Sequence, residues 1–321
     1  MRTSRVAIVT PALASANNGN WQTARRWARM LSARHRTQIL PAWNGERADA
    51  LIALHARRSA ASIAAWKAAR PEAPLVVVLT GTDLYRDIDI DADARASLEA
   101  ADRLVVLNDL GSARLPASLR PKARVVLQSA RSRKAPPKPR RHLRAVMVGH
   151  LRAEKSPETF IKAARLLTEA GDILLDHIGA PLDADLAALA RATAAECPGY
   201  RWLGAQPHET TLRRIQRAHV LVHASRMEGG AHAVIEALRL GTPVLASRID
   251  GNVGLLGRDY AGYFRWGNAT QLSAMLVQCR ASMLRGEGLL PRLTGQCRAL
   301  SPRFDPGAEA AALEGVLAEL L

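Results

Sequence analysis

Arg131-Ser132-Arg133-Lys134-Ala135-Pro136-Pro137-Lys138-Pro139-Arg140-Arg141 is proline-rich, positively charged and without apolar period, so it reads as an extended linker. Directly beyond it, Ala145-Val146-Met147-Val148-Gly149 reads as a buried strand. Before it, aliphatic runs at residues 6–9, 51–54, 75–79, 104–107 and 125–127 alternate with helical stretches such as residues 21–34 and 93–101. After it the alternation restarts, with helices near residues 157–170, 184–195 and 232–240 and strands near 173–178, 220–223 and 243–246. Short apolar strands separated by helices are the pattern of parallel sheets covered by helices. The linker at 131–142 therefore separates two α/β domains, expected at residues 1–130 and 143–302. Residues 303–321 are rich in Ala, Leu and Glu and read as a C-terminal helix, which either closes the second domain or crosses back onto the first.

A chain of 321 residues is long for a single core and fits two domains. Hydrophobic residues at 48% and charged residues at 23% are a globular composition, too balanced for a disordered chain. The net charge of +16 predicts attraction to anions without choosing among phosphates, nucleic acid and acidic membranes. Lysine occurs only at 67, 122, 134, 138, 155 and 162, so arginine supplies most of the charge, scattered along helices as solvated surface with a minority left to line an anion site. Aromatic residues at 4% are too few for nucleic-acid stacking platforms, and no zinc spacing, RNP-like motif or compact basic helix is present. Nucleic acid is thus the weaker partner class. Cys197, Cys279 and Cys297 form no CxxC pair, and their odd number points to a reducing, cytoplasmic setting. The first apolar run is too short for a signal peptide, and no stretch approaches the roughly 20 apolar residues of a membrane span, so no integral membrane contact is expected.

The densest chemistry lies in Ser225-Arg226-Met227-Glu228-Gly229-Gly230-Ala231-His232-Ala233-Val234-Ile235-Glu236-Ala237-Leu238. A strand feeding a glycine-bearing turn and then a helix aims backbone N–H groups and the positive helix end at an anion. Glu228 stands before the turn and Glu236 inside the helix, so a ligand with a diphosphate between two hydroxyl-rich groups would satisfy both carboxylates. From spacing alone the pair reads equally as a capping acid and a surface acid. In the first half, Asn17-Asn18-Gly19-Asn20-Trp21 lies between a strand and its helix, and it reads either as an anion loop or as a polar turn with Asn20 as N-cap. Thr80-Gly81-Thr82-Asp83 likewise follows a strand.

Glu228 and Glu236 at this spacing, followed by Gly241-Thr242-Pro243-Val244-Leu245-Ala246-Ser247, resemble the donor-binding signature of family-4 glycosyltransferases of the GT-B fold. Val148-Gly149-His150-Leu151-Arg152-Ala153-Glu154-Lys155-Ser156 resembles that family's strand and diphosphate loop, and Trp202-Leu203-Gly204 its base-binding segment. The resemblance spans most of residues 145–260 and implies two Rossmann-like domains facing across a cleft, with a UDP-sugar donor at the carboxyl ends of the strands. It assigns Glu228 to sugar hydroxyls, Glu236 to the ribose diol, Lys155 to the diphosphate, and Gly229, Gly230, Ala231, His232, Trp202 and Leu203 to the donor site. The family carries arginine where His150 stands and often histidine where Thr80 stands, so Arg152 becomes the candidate for the missing phosphate contact. Lys155, Arg152 and Glu228 are then the residues closest to the chemistry.

The Asn17 to Trp27 stretch, with Asp250-Gly251-Asn252-Val253-Gly254-Leu255-Leu256-Gly257, further resembles the selenosugar synthases of selenoneine biosynthesis, a family-4-like group. That resemblance implies transfer of a sugar, commonly N-acetylglucosamine from its UDP form, to selenophosphate held by Asn18, Gly19, Asn20, Thr80 and Asn252. No cofactor is implied, the UDP-sugar being a substrate. The acidic run Asp87-Ile88-Asp89-Ile90-Asp91-Ala92-Asp93 superficially offers a metal site but leads into a helix and reads as its acidic flank, so no metal is expected. A phosphorylase-like reading would require a pyridoxal lysine, for which no local motif exists.

Overall fold

The computed structural model describes residues 3–11 and 19–321. The chain forms two units, one made of Met1–Gln128, Glu228–Gly230 and Pro306–Leu321, the other of Ser129–Met227 and Ala231–Asp305. The first sheet contains β1 (Arg5–Val9), β2 (Arg36–Leu40), β3 (Ala50–Leu54), β4 (Leu75–Leu79), β5 (Arg103–Val106) and β6 (Ala123–Val125). Every neighbouring pair is parallel, in the order β2-β1-β3-β4-β5-β6. Around it run α1 (Gly19–Leu31), α2 (Ala60–Ala69), α3 (Ile88–Ile90) and α4 (Ala92–Ala100).

The central strands Ala50–Leu54 and Leu75–Leu79 are buried at every position, which is why their sequences are unbroken aliphatic runs: both faces of the sheet are covered. One face packs Trp43, Trp66 and Leu98. The other packs Trp27 and Leu31 of α1 together with Leu313, Val316 and Leu317 from the C-terminal helix. That helix therefore crosses back onto the first unit. Trp27 Nε1 donates to Glu309 Oε1 at 2.7 Å and Arg26 Nε reaches the same carboxylate at 3.0 Å, so a buried acid is paid for by two specific donors. The polar edge strand Arg36–Leu40, with its exposed face, was invisible as an apolar run. The run expected at 125–127 is instead a strand over Ala123–Val125. Asn20 is not an N-cap, since α1 already begins at Gly19.

The second sheet contains β7 (Leu143–Val148), β8 (Ile173–Ile178), β9 (Tyr200–Trp202), β10 (Val220–His223), β11 (Val244–Ser247) and β12 (Tyr263–Phe264). It is also wholly parallel, in the order β12-β11-β10-β7-β8-β9. Its helices are α5 (Pro157–Leu166), α6 (Ala184–Glu196), α7 (His208–Arg217), α8 (His232–Arg239), α9 (Asp250–Leu256), α10 (Ala269–Arg285) and α11 (Leu289–Leu300), and the chain ends in α12 (Pro306–Ala318), the helix of the first unit. In this sheet β7 lies between β10 and β8, so the chain leaves β7 in one direction and returns to β10 on its other side. Loops from two such neighbours diverge and open a crevice at the carboxyl ends of the strands, the usual ligand position in open α/β sheets. β1 between β2 and β3 is the corresponding point of the first sheet.

Residues 131–142 contain no helix or strand and are tied to the second unit. His219 hydrogen-bonds Pro139 O at 2.9 Å and Gln216 Nε2 donates to Lys134 O at 2.7 Å. Prolines leave carbonyls without neighbouring N–H groups, and side chains of the adjoining helix and strand supply the donors. Among the described residues no helix is long and apolar enough to cross a membrane.

Candidate functional site

The loops at the carboxyl ends of β7, β8, β9 and β10 carry the expected donor residues. The loop after β7 is pinned by close backbone packing: a Cβ on Gly179 would overlap the Gly149 carbonyl, so glycine is needed there. His150 Nδ1 accepts from Ala180 N at 3.0 Å. Burial first, then Arg152 and Lys155, lower the pKa of His150, so its ring is neutral and anchors the loop rather than supplying charge. The cations of this loop are the exposed Arg152, 4.0 Å from Glu154, and the half-buried Lys155, whose side chain lies over Gly149. Ser156 then takes a left-handed turn (φ 45°), Pro157 opens α5, and Trp266 Nε1 donates to Ser156 Oγ at 2.9 Å.

Trp202-Leu203-Gly204 runs beside the end of β8. Trp202 Nε1 donates to Gly179 O at 3.0 Å, Leu203 N to His177 O at 2.8 Å, and Gly179 N to Gly204 O at 2.9 Å. Gly179 thus joins the two loops that were expected to hold diphosphate and base.

After β10, Ala231 precedes α8 with no side-chain cap, leaving the helix start to other partners. Glu236 is 5% exposed, and a carboxylate this buried needs donors. It has one in His208 Nε2 at 2.6 Å, while His232 Nε2, one helical turn away on the same face, stands at 3.6 Å, outside hydrogen-bond reach. The hydrogen bond that His208 donates to Glu236 raises the pKa of His208 against an opposing desolvation, with further upward contributions from the Glu236 and Glu209 charges. Asn252 is fully buried, and its Nδ2 donates to Ser247 O at 2.8 Å, which fixes the amide orientation. Its Oδ1 has no hydrogen-bond partner among the described residues. Asn252 therefore offers an acceptor, suited to a hydroxyl or N–H and not to the bare anion the sequence reading gave it.

The remaining expected residues gather in the first unit. The Glu228–Gly230 turn lies against Thr80-Gly81: a Cβ on Gly229 would sit 2.5 Å from Thr80 C and O, and one on Gly81 2.9 Å from Gly229 N. Asn108 Nδ2 holds the Gly229 carbonyl at 2.7 Å. These glycines are thus demanded by backbone packing, independently of any anion. The Thr80 turn is itself held by Asp83, which accepts from Thr80 N at 2.9 Å, Gly81 N at 2.8 Å and Ala56 N at 3.0 Å. Gly19 and Asn20 form the first turn of α1, and Asn18 lies outside the described residues. Thr23 Oγ1 donates to Gly19 O at 2.8 Å and accepts from Gln128 Nε2 at 2.7 Å, while a Cβ on Gly230 would meet Gln128 Oε1 at 3.0 Å. Gln128 is thus hydrogen-bonded to α1's first turn through Thr23 and packs close to Gly230.

Sequence reasoning missed His208, Asn108, Gln128 and His55. His55 is buried, in left-handed conformation (φ 74°), with Nε2 3.0 Å from Thr82 Oγ1 and Asp83 and Asp87 each 3.9 Å away. Its pKa is lowered, by burial first, against the upward pull of Asp83. A histidine immediately after an aliphatic strand was the only sequence signal for it. Asp91 caps α4 by accepting from Ala94 N at 2.8 Å, and Asp87 pairs with Arg57 and Arg86, so the acidic run is used locally. Among the described residues no group of three or more His, Cys, Asp or Glu is arranged to hold a metal ion.

Residues 128–275 match the family of Glycosyl transferases group 1. Among solved structures, the chain is similar to sucrose-phosphate synthase from Thermosynechococcus elongatus at 16% identity, TM-score 0.75, covering 99% of each chain. It is similar to Anabaena HepE in complex with UDP at 13% identity, TM-score 0.75, covering 99% of this chain and 100% of that one. It is also similar to a mutant of S. aureus TarM in complex with Fondaparinux, alpha-GlcNAc-glycerol and UDP, at 13% identity and TM-score 0.67, covering 83% of this chain and 55% of that one. The chain thus spans about half the length of TarM. At these identities the likeness establishes the fold, two parallel α/β sheets as in GT-B glycosyltransferases.

Proposed function

We propose that this chain is a glycosyltransferase that takes a sugar from a UDP-sugar, with selenophosphate as acceptor. The observation that carries the donor half is Glu236, a buried carboxylate held by the His208 imidazole, inside the segment that matches Glycosyl transferases group 1. Glu236 accepts from the ribose diol and Glu228 from sugar hydroxyls. Lys155 and Arg152 face the diphosphate, helped by the uncapped start of α8. Trp202 and Leu203 lie along the base. Asn252 Oδ1 is reassigned from the acceptor to the sugar, where an acetamido N–H or a hydroxyl would satisfy it. The UDP present in the HepE and TarM structures supports the choice of nucleotide.

In the reaction, a selenophosphate selenium lone pair forms the C1–Se bond while the C1–O bond to the β-phosphate breaks, and UDP departs with the electron pair. Charge develops on the leaving diphosphate, where Lys155, Arg152 and backbone N–H groups stabilise it without a metal or cofactor. Water then cleaves the Se–P bond, giving orthophosphate and the 1-selenosugar. Selenium is polarisable and largely deprotonated, so it needs no general base at Thr80. Gly19, Asn20 and Thr80, with Asn18, are the acceptor residues of this reading, and the net charge of +16 favours an anionic acceptor.

The test incubates the protein with UDP-N-acetylglucosamine, other UDP-sugars, selenophosphate and hydroxyl acceptors, with and without chelator. Mass spectrometry should find a selenosugar with stoichiometric UDP, and chelator should not stop it. Efficient glycosylation of a hydroxyl with no turnover of selenophosphate would reject the acceptor and keep the transferase.

A further inference from the structure

The Glu236 site contains a residue to which neither the family match nor the reaction above assigns a role. His208 opens α7 and reaches across to α8, placing Nε2 2.6 Å from Glu236 Oε1. Its side chain is 58% exposed while that of Glu236 is 6% exposed, so a solvent-accessible imidazole holds a carboxylate that is itself shielded from water. We propose that His208 is a positioning residue for the nucleotide: its hydrogen bond fixes the Glu236 carboxylate, and it makes donor affinity follow the protonation of one imidazole. This rests on the assignment of Glu236 to the ribose.

The groups facing His208 come from three elements. Glu236 and His232 stand on α8, and Glu209 on its own helix is engaged by Arg133 at 2.7 and 2.8 Å and by Arg213 at 3.2 Å. Arg133 belongs to the proline-rich segment. The acidic neighbours outweigh burial and Arg133, and the imidazolium is favoured above its ordinary range. A ribose diol donates equally well to a carboxylate paired with neutral or charged imidazole. The diphosphate distinguishes them: an unneutralised Glu236 repels it, and a protonated His208 offsets that repulsion. Below the raised pKa of His208 the pair is neutral overall. Above it the hydrogen bond persists through neutral Nε2–H, the orientation is kept, and the offset is lost. Donor affinity should therefore fall as pH rises above 6.5.

Binding of UDP-N-acetylglucosamine, whose diphosphate is esterified at both ends and carries no titrating proton in the range, is measured by calorimetry from pH 6 to 9. Wild type should weaken on the order of fivefold across the range, as for a partly exposed charge pair. His208→Gln keeps an N–H donor and should bind at the wild-type high-pH level throughout, with a flat profile. His208→Ala should bind more weakly still at high pH, because the carboxylate loses its anchor. NMR titration supplies a ligand-free readout, in which the His208 pKa drops in Glu236→Gln. A His208→Gln profile that still follows wild type, or an unchanged His208 titration in Glu236→Gln, overturns the inference while leaving the donor reading intact. Failure of folded wild type to bind any UDP-sugar overturns the donor reading and this inference with it.

Discussion

Replacing Gly229 by alanine tests whether that glycine serves backbone packing. The new Cβ would lie 2.5 Å from both Thr80 C and Thr80 O and 2.7 Å from Gly81 N. Ordinary contacts of this kind begin near 3.4 Å, so about 1 Å of overlap must be relieved by moving backbone rather than by turning a flexible side chain. The Thr80 turn resists: its N–H groups are bound by Asp83, and the Gly229 carbonyl is bound by Asn108. Overpacking of this kind costs about 1 to 3 kcal/mol. For a unit of this size each kcal/mol moves the midpoint by roughly 2 to 4 °C, so Gly229→Ala should lower Tm by about 2 to 12 °C in calorimetry. Gly315→Ala is the matched control. Gly315 lies exposed in α12 with nothing within 4 Å of an added Cβ, and the change should stabilise by about 0.5 to 1 kcal/mol through helix propensity alone. Equal Tm for Gly229→Ala and wild type would refute the packing argument, and a loss of UDP-sugar affinity at unchanged Tm would return Gly229 to the anion-binding role.

Glu236→Gln keeps volume and removes the charge on which His208 closes; a charged hydrogen bond is worth about 1.5 to 3 kcal/mol, so UDP-sugar affinity measured by calorimetry should fall roughly tenfold to a hundredfold. Asp83→Ala leaves the N–H groups of Thr80, Gly81 and Ala56 without their acceptor in a fully buried place, and denaturant unfolding should show a loss of about 3 kcal/mol or more. His177 and His219 are held near pKa 4, in both cases by burial first. The native state binds fewer protons than the unfolded chain below the ordinary histidine value of about 6.5, so stability is full above that pH and falls as pH drops toward 4, by on the order of 3 kcal/mol for His177 and by less for the more solvated His219. Unfolding curves at intervals from pH 7 to 4 should show this fall, and it should shrink in His177→Gln.

Local patterning carried much of the architecture. The aliphatic run Leu75–Leu79 reads as a strand covered on both faces, and short apolar strands alternating with helices on either side of the proline-rich stretch made parallel α/β structure legible in the sequence. From spacing alone Glu236 reads equally as a surface acid, and only the resemblance of its segment to a donor-binding signature singles it out. The tertiary structure decided matters that depend on distant segments. Strand order cannot be read from spacing, yet it is the placement of β7 between β8 and β10 that makes this the switch point where such sheets take a ligand. Whether residues 306–318 cover the first or second sheet turned on Leu313 and Leu317 finding the Trp27 face and on Glu309 finding Trp27 Nε1. Asn252 changed from a contact for an anion to an acceptor because Ser247 claims its only donors, and His208 acquired its place because α7 and α8 pack together. A sequence specifies which groups a segment offers; which of them are already spent on neighbours hundreds of atoms away, and which are left for a ligand, is fixed only once the chain has closed on itself.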